Sequence, residues 1–418
     1  MIPPRSDVLV LGAGVIGLSC ALYLLKAGAS VRLLEKGHAG CGSSHGNCGT
    51  LTPSHADPLA MPGMIGKAMR WMVKRDAPLY VSPRPDLARL RWLLGFARRC
   101  NWRDFTHTAE ARAAMLLRSR DLIEALVRDE RLDCEFDAAG TLYVYRDARA
   151  MAADAAHIEW MQRLGIATEV KHADDVAAME PALLPGMAGG VYHPGDARLR
   201  PDRYVAELAR RVRELGGIIE EQAPIHGFAT ADSRLTGVRT ARGEFAGERV
   251  VLALGAWSPL VGEALRLRLP MQPGKGYSIT WSRPALCPRL PLTLHEDSVC
   301  VTAWGSGFRL GSTMEFAGYD TRLNRLRLDA LKRGAARYLR QPEGGELHEE
   351  WWGWRPMSVD ELPIIGPSAR WSNLILATGH GMMGMSMSAA TAELVAAQAA
   401  GQPPPLDPAP YAPARFAL

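Results

Sequence analysis

The chain has 418 residues, enough for two to three domains at ~150 residues each. A composition of 47% hydrophobic and 22% charged residues excludes a disordered chain or a fibre. Forty-nine basic against 44 acidic residues leave a formal charge of +5. Only seven of the bases are lysine, and the arginines are spread along the whole chain. A nucleic-acid binder would instead gather them into a stripe with interleaved aromatics, so no nucleic-acid partner is expected.

Seven cysteines lie scattered at 20, 41, 48, 100, 134, 287 and 300, with no CxxC pair. That spacing excludes a disulfide framework and a structural zinc site, so no metal is expected and a reducing compartment is the default. Val8–Leu25 is an apolar run near the length of a membrane span. It lacks the basic start and small-residue cleavage site of a signal peptide, and its glycines point elsewhere.

Asp7–Leu11 reads as a buried parallel strand and Leu18–Ala27 as a helix ended by Gly28. Ala29–Leu34 follows as a second strand closed by Glu35, completing a βαβ start. Helices are expected at 64–75, 86–100, 108–128 and 150–164. Another is expected at 203–215, followed by a strand at 218–221 and a hairpin ending in a buried strand at 248–254. Strand-like runs occupy 277–281, 298–303 and 308–312, with a helix near 324–339. The chain closes with a strand at 374–377, a glycine turn, a helix at 385–400 and a proline-rich irregular tail at 402–413.

The predicted fold class is mixed α/β. A Rossmann-like dinucleotide-binding domain is expected from 1–55, 198–262 and 353–418. A substrate domain with a mixed sheet and helices is expected from 56–197 and 263–352.

Gly12-Ala13-Gly14-Val15-Ile16-Gly17 follows a strand and opens a helix. Gly12 permits the tight turn, Gly14 the approach of a pyrophosphate, and Gly17 the packing of helix on strand. The helix N-terminus offers N–H groups to phosphate. Glu35 suits ribose hydroxyls, which disfavours NADP. NAD remains an alternative on this motif alone. The second glycine turn, Gly379-His380-Gly381 with Gly384, favours a flavin, because a helix N-terminus there can face the charge that develops on a reduced isoalloxazine. Met382 and Met383, like Met385 and Met387, read as core filler.

At this point the sequence resembles the FAD-dependent amino-acid oxidoreductases of the D-amino-acid oxidase and glycine oxidase superfamily, and most of all the bacterial D-amino-acid dehydrogenases. The resemblance runs over essentially the whole chain. It is carried by VLVLGAGVIGLSCALYLLKAGASVRLLEK (8–36), SSHGNCGTLTPSHADPLAMPG (43–63), KAMRWMVKRDAPLYV (67–81), AAGTLYVYRD (138–147), PGKGYSIT (273–280), RPMSVDELPIIG (355–366) and NLILATGHGMMG (373–384).

The resemblance implies FAD as cofactor, held by 12–17, Glu35, Lys36, Gly255, the loop Ser43, Ser44, His45, Gly46, Asn47, Cys48, Gly49, and the turn Gly379 to Gly384. It implies that Arg355 clamps a substrate carboxylate and that Tyr277 adds a second donor. His45 and His380 are candidates to take the amine proton, and Cys48 sits where a covalent flavin link is conceivable. Two departures stand out. Met382 and Met383 replace the residues usual after the GHG turn, and glycine oxidases carry arginine at the first of these places. His45-Gly46-Asn47-Cys48 is bulkier before the asparagine than in many D-amino-acid dehydrogenases, and looks more like the subgroup acting on D-proline and hydroxy-D-proline.

The implied reaction is oxidation of Cα–N. Hydride passes to flavin N5, leaving an imine that water hydrolyses to a 2-oxo acid, or a pyrroline carboxylate from a cyclic amine. The alternatives are a glycine/sarcosine-type amine oxidase, a nicotinamide-dependent oxidoreductase and an RNA-modifying flavoprotein. The electron acceptor (quinone, oxygen or a carrier protein) and homo-oligomer formation stay open. Met61–Arg103 alternates apolar and basic residues around Trp71, Trp92 and Trp102. That suits either snorkelling arginines on ordinary helices or contact with an anionic membrane. The expected location is cytoplasmic, with peripheral contact at the inner face of the membrane.

Overall fold

The computed structural model describes residues 4–72 and 79–418. Strand Arg5–Leu11 lies between Val31–Leu34 and Gly243–Leu252, parallel to both. Ile218–Glu220 extends this parallel set on one side and Leu374–Thr378 on the other. A hairpin, Ile225–Ala231 with Arg234–Thr240, and the antiparallel strand Ile364–Pro367 complete eight strands. The central strands are buried on both faces, as their unbroken aliphatic composition requires. Helix Val15–Lys26 packs against Pro201–Glu214 and Ser388–Ala400. This is a Rossmann-like α/β layer drawn from distant parts of the chain.

The second sheet has nine strands. Met271–Trp281 is flanked by Gly307–Phe316 and Leu347–Ser358, both antiparallel to it. Val299–Trp304, Leu292–Leu294 and Thr141–Tyr145 continue the sheet outward. One face packs on helix Arg325–Ala335, where Leu328 and Leu331 meet Ile279, Trp281 and Leu310. The other face looks toward the first sheet.

Several elements differ from expectation. The helix expected at 64–75 is seen as Met64–Met72, and its continuation to Arg75 lies outside the described residues. The helix expected at 108–128 runs from Trp102 to Asp129, because the Asn101 side chain accepts the Asp104 N–H and starts it earlier. The helix expected at 150–164 breaks at Asp154 into Ala148–Ala153 and Ala155–Arg163. Trp102–Asp129, placed by sequence with the second domain, packs on Ser388–Ala400 and shares a core with Leu18, Leu22 and Leu394. Strand Leu347–Ser358 runs unbroken through the boundary expected before 353. Among the described residues, no helix is long and apolar enough to cross a membrane.

Candidate active site

A cavity of about 840 Å³ runs between the two sheets. One end is built by the first glycine turn. Gly12 has φ +99° and lies so close to the Ala253 carbonyl that a Cβ would stand 2.6 Å from it. A Gly17 Cβ would stand 1.9 Å from the Gly12 carbonyl oxygen, so Gly17 serves helix packing and does not line the cavity. Gly14, Val15 and Ile16 do line it. Ala13 is buried, and its N–H donates to Glu35 Oε2 at 2.9 Å, while Gly37 N–H donates to Oε1 at 3.0 Å. Glu35 thus braces the turn and still borders the cavity, as does Lys36, whose ammonium lies 3.6 Å from the Trp257 ring centroid. Burial lowers the Lys36 pKa.

The 43–49 loop forms one long wall. Ser44 Oγ accepts the Val15 N–H at 3.1 Å, and Ser43 Oγ donates to the Trp354 carbonyl. Buried Arg309 donates to the carbonyls of Asn47 at 2.7 Å and His45 at 3.1 Å. A guanidinium inside the protein therefore holds the loop's shape. Ser43, Ser44, Gly46, Asn47 and Cys48 face the cavity. Gly49 (φ +74°) is instead a packing glycine against the Leu199 carbonyl. The His45 ring turns away and meets Glu349, Nε2 to Oε1 2.9 Å, which raises its pKa. It does not line the cavity, so the expectation of His45 as proton acceptor is not what the geometry offers.

At the closing turn, His380, Gly381, Met382, Met383 and Gly384 border the cavity, with Gly255 nearby. Gly379 (φ +78°) sets the turn from behind. The Gly381 N–H donates to the Pro356 carbonyl at 3.0 Å, joining this turn directly to the segment that carries Arg355. Met383, Met385 and Met387 are buried in the main core, as read from sequence. His380 Nε2 lies 3.0 Å from Thr391 Oγ1, and burial lowers its pKa to about 3. It is a neutral, inward-bonded histidine, which argues against its expected role in proton transfer.

Arg355 borders the cavity from the second sheet. Its Nη1 donates to the Thr313 carbonyl at 2.6 Å, and its guanidinium occupies the space over Gly276, where a Cβ would stand 2.3 Å from Cζ. Trp351 and Gly353 share its face by strand alternation. The Trp351 indole packs on Gly46, bringing sheet and loop together. Tyr277 also borders the cavity, although it pairs with Trp352 and its hydroxyl points away. Its hydroxyl donates to buried Glu315 at 3.0 Å. The expected second carboxylate donor is thus committed elsewhere, next to a bulge between Lys275 and Tyr277.

The sequence reading missed a polar chain at the cavity edge. The Tyr143 hydroxyl lies 3.1 Å from His55 Nδ1 and 3.2 Å from Nε2. The same hydroxyl lies 3.3 Å from Ser54 Oγ, which donates to Asp196 Oδ2 at 2.6 Å. The Ser54 N–H donates to Oδ1 at 3.1 Å. His55 borders the cavity, while Asp196 is fully buried. Burial lowers the His55 pKa to about 4 and raises Asp196 to about 7. The cavity therefore meets a neutral imidazole backed by a chain of groups able to move a proton. The only signal in the sequence was that Ser54 and His55 fall inside the 43–63 segment and Tyr143 inside the 138–147 segment. Nothing marked Asp196. Among the described residues, no group of three or more His, Cys, Asp or Glu is placed to hold a metal.

Comparison with known proteins agrees with this geometry. The pattern of the FAD-dependent oxidoreductase family matches residues 7–398. The chain is 33% identical over 419 residues to a D-amino acid dehydrogenase of Granulibacter bethesdensis, covering 98% of this chain and 99% of that one. It is also 33% identical to one of Agrobacterium fabrum, covering 98% and 100%. In structure it is similar to glycine oxidase from Geobacillus kaustophilus, with TM-score 0.79, 23% identity and 98% of each chain covered. It is likewise similar to L-proline dehydrogenase from P. horikoshii, with TM-score 0.74, 19% identity and 99% and 98% covered.

The residues fit the cofactor. Gly14 leaves open space that a Cβ would narrow toward Ser44, and the helix behind it starts without a side-chain cap. The Val15 N–H is taken by Ser44 Oγ, and the N–H groups that follow it in the first turn are left for phosphate. Glu35 retains lone pairs for ribose. The elongated cavity joins these to the closing turn. The chain belongs to the FAD-dependent oxidoreductase family, and its cofactor is FAD.

Proposed function

We propose that the protein oxidises the Cα–N bond of an amino acid, with D-amino acids as its substrates and D-proline or cis-4-hydroxy-D-proline the leading ones. The observation that carries this reading is Arg355, fixed over Gly276 at the cavity and joined through Pro356 to the closing turn. A planar guanidinium binds a carboxylate by two parallel hydrogen bonds, so it sets angle as well as place. Burial lowers its pKa, yet arginine stays cationic. FAD, when bound, supplies the two-electron oxidation. The chain's own task is orientation, which Arg355, Trp351 and the 43–49 loop perform. His55, neutral and bonded to Tyr143, borders the cavity and accepts a hydrogen bond from the substrate amine, while the amine proton leaves to water. The relatives named D-amino acid dehydrogenase support the substrate class. The likeness to the subgroup acting on D-proline supports the cyclic substrates.

Turnover with a dye acceptor over paired D- and L-amino acids, glycine and sarcosine tests the reading. Cyclic D-amino acids should turn over fastest. Faster glycine or sarcosine would make the protein an amine oxidase of that type.

The segments 1–55, 198–262 and 353–418 serve the cofactor in this reading, and 56–197 with 263–352 serve the substrate. We also propose peripheral membrane contact. Ile65, Met69, Leu87, Leu90, Leu94 and Trp102 are exposed on neighbouring stretches of chain that also expose Lys67, Arg70, Arg91 and Arg98. Lys67 stands at the cavity. Such a face suits an anionic lipid surface and a quinone acceptor. The protein should float with anionic vesicles and not with zwitterionic ones, and Leu90→Asp with Leu94→Asp should abolish flotation. Equal behaviour with both vesicle types, or no flotation at all, contradicts this contact.

A further inference from the structure

Two thiols meet inside the cavity, from opposite walls. Cys48 comes from the 43–49 loop and Cys300 from strand Val299–Trp304, and both border the cavity. Cys300 pairs across the sheet with Gly311. A Cβ on Gly311 would stand 2.4 Å from Cys48 Sγ, so this glycine leaves the space that the Cys48 thiol fills beside Cys300. The cross-strand pairing of Cys300 with Gly311 thus puts the two thiols beside each other. Arg309, which fixes the Asn47 and His45 carbonyls, holds the loop that presents Cys48. Arg309 and Arg355 both place positive charge near the sulfur.

The two cysteines are unequal. The neighbouring Cys300 thiol and the two arginines lower the Cys48 pKa, while Cys300 beside it is raised. Elsewhere Cys20 and Cys134 are buried, and burial raises each to about 12. A thiolate near cations is the nucleophile in thiol chemistry, and a neighbouring thiol resolves the product.

We propose that Cys48 and Cys300 form a peroxide-reactive dithiol that closes to a disulfide, tying the cofactor-side loop to the substrate-side sheet next to Arg355. The Cys48 thiolate attacks one oxygen of hydrogen peroxide. The O–O bond breaks, giving a sulfenic acid and hydroxide, which takes up the proton that Cys48 had released and becomes water. The Cys300 sulfur then attacks the sulfenic sulfur, the S–O bond breaks and water leaves. Two thiols lose two electrons, one peroxide gains them, and two waters form. Hydrogen peroxide is the oxidant, whether supplied by the medium or formed when a reduced flavin meets oxygen.

The test does not depend on any amino acid being a substrate. The FAD-loaded protein is titrated with hydrogen peroxide, denatured, alkylated and digested for mass spectrometry. The account expects a Cys48–Cys300 linked peptide, a fall from seven alkylatable thiols to five, and restoration by dithiothreitol, with the flavin spectrum retained throughout. In Cys300→Ser, Cys48 should instead be trapped by dimedone as its sulfenic acid. In Cys48→Ser, Cys300 should stay reduced at the same dose. The proposal fails if Cys48 and Cys300 remain alkylatable while other cysteines oxidise. It fails as well if the linked peptide joins either one to a different partner, or if Cys300 oxidises equally fast without Cys48. The wild-type measurement decides the matter even if a variant folds poorly.

Discussion

Arg355 does two jobs with one planar group. Nη1 is anchored to Thr313, whose φ of +60° turns its carbonyl toward the guanidinium. The rest of the group meets the cavity. Removing it leaves a substrate carboxylate without its partner, so in Arg355→Ala affinity for a carboxylate substrate analogue should fall by about 2–5 kcal/mol. FAD content should be unchanged, since the cofactor-binding glycines are untouched. Equilibrium titration of flavin absorbance with the analogue measures this, and wild-type affinity in the variant would remove Arg355 from the site. The residue was legible in the sequence because an arginine before Pro356 sits in a long family motif. Tyr277 sat in an equally clear motif, but its side chain depends on a bulge and on pairing with Trp352, neither of which a linear pattern encodes. His55, Tyr143 and Asp196 come together only through the fold, and each alone is an ordinary residue.

At the scale of elements, that polar chain ties the turn Pro53–His55 to strand Thr141–Tyr145 and to Asp196 just before Ala197–Arg198. It has a thermodynamic signature. Between 3.8 and about 7 the folded chain keeps a proton on Asp196 that the unfolded chain releases. Stability from this group therefore falls as pH rises through that window, by at most about 1.4 kcal/mol per pH unit. Asp196→Asn keeps the shape and an acceptor for Ser54 while removing the titration. Thermal melts at about pH 5 and about pH 8 should show wild type losing ground to the variant as pH rises. A constant difference between the two proteins would contradict the buried, protonated carboxyl. Element boundaries were legible where a cap or glycine marks them, as at Gly28 after the first helix. The early start of Trp102–Asp129 was missed although a local cap, Asn101, marks it, because the apolar periodicity begins only later.

For the whole molecule, two sheets enclose one long cavity, and segments far apart in sequence build each of them. The glycine turns at 12–17 and 379–384 announced the cofactor layer, because such turns need special residues at fixed spacing. What the sequence could not show is how the closing turn joins the Arg355 segment through Gly381 and Pro356, since a backbone hydrogen bond carries no side-chain code. The central claim is that this enclosed space oxidises D-amino acids. Its most direct test is an anaerobic titration of the FAD-loaded protein with D-proline, cis-4-hydroxy-D-proline and their L-enantiomers, read by flavin absorbance. The account predicts that a D-enantiomer bleaches the flavin and its L-enantiomer does not. Flavin that dithionite bleaches, but no D-amino acid does, would contradict it.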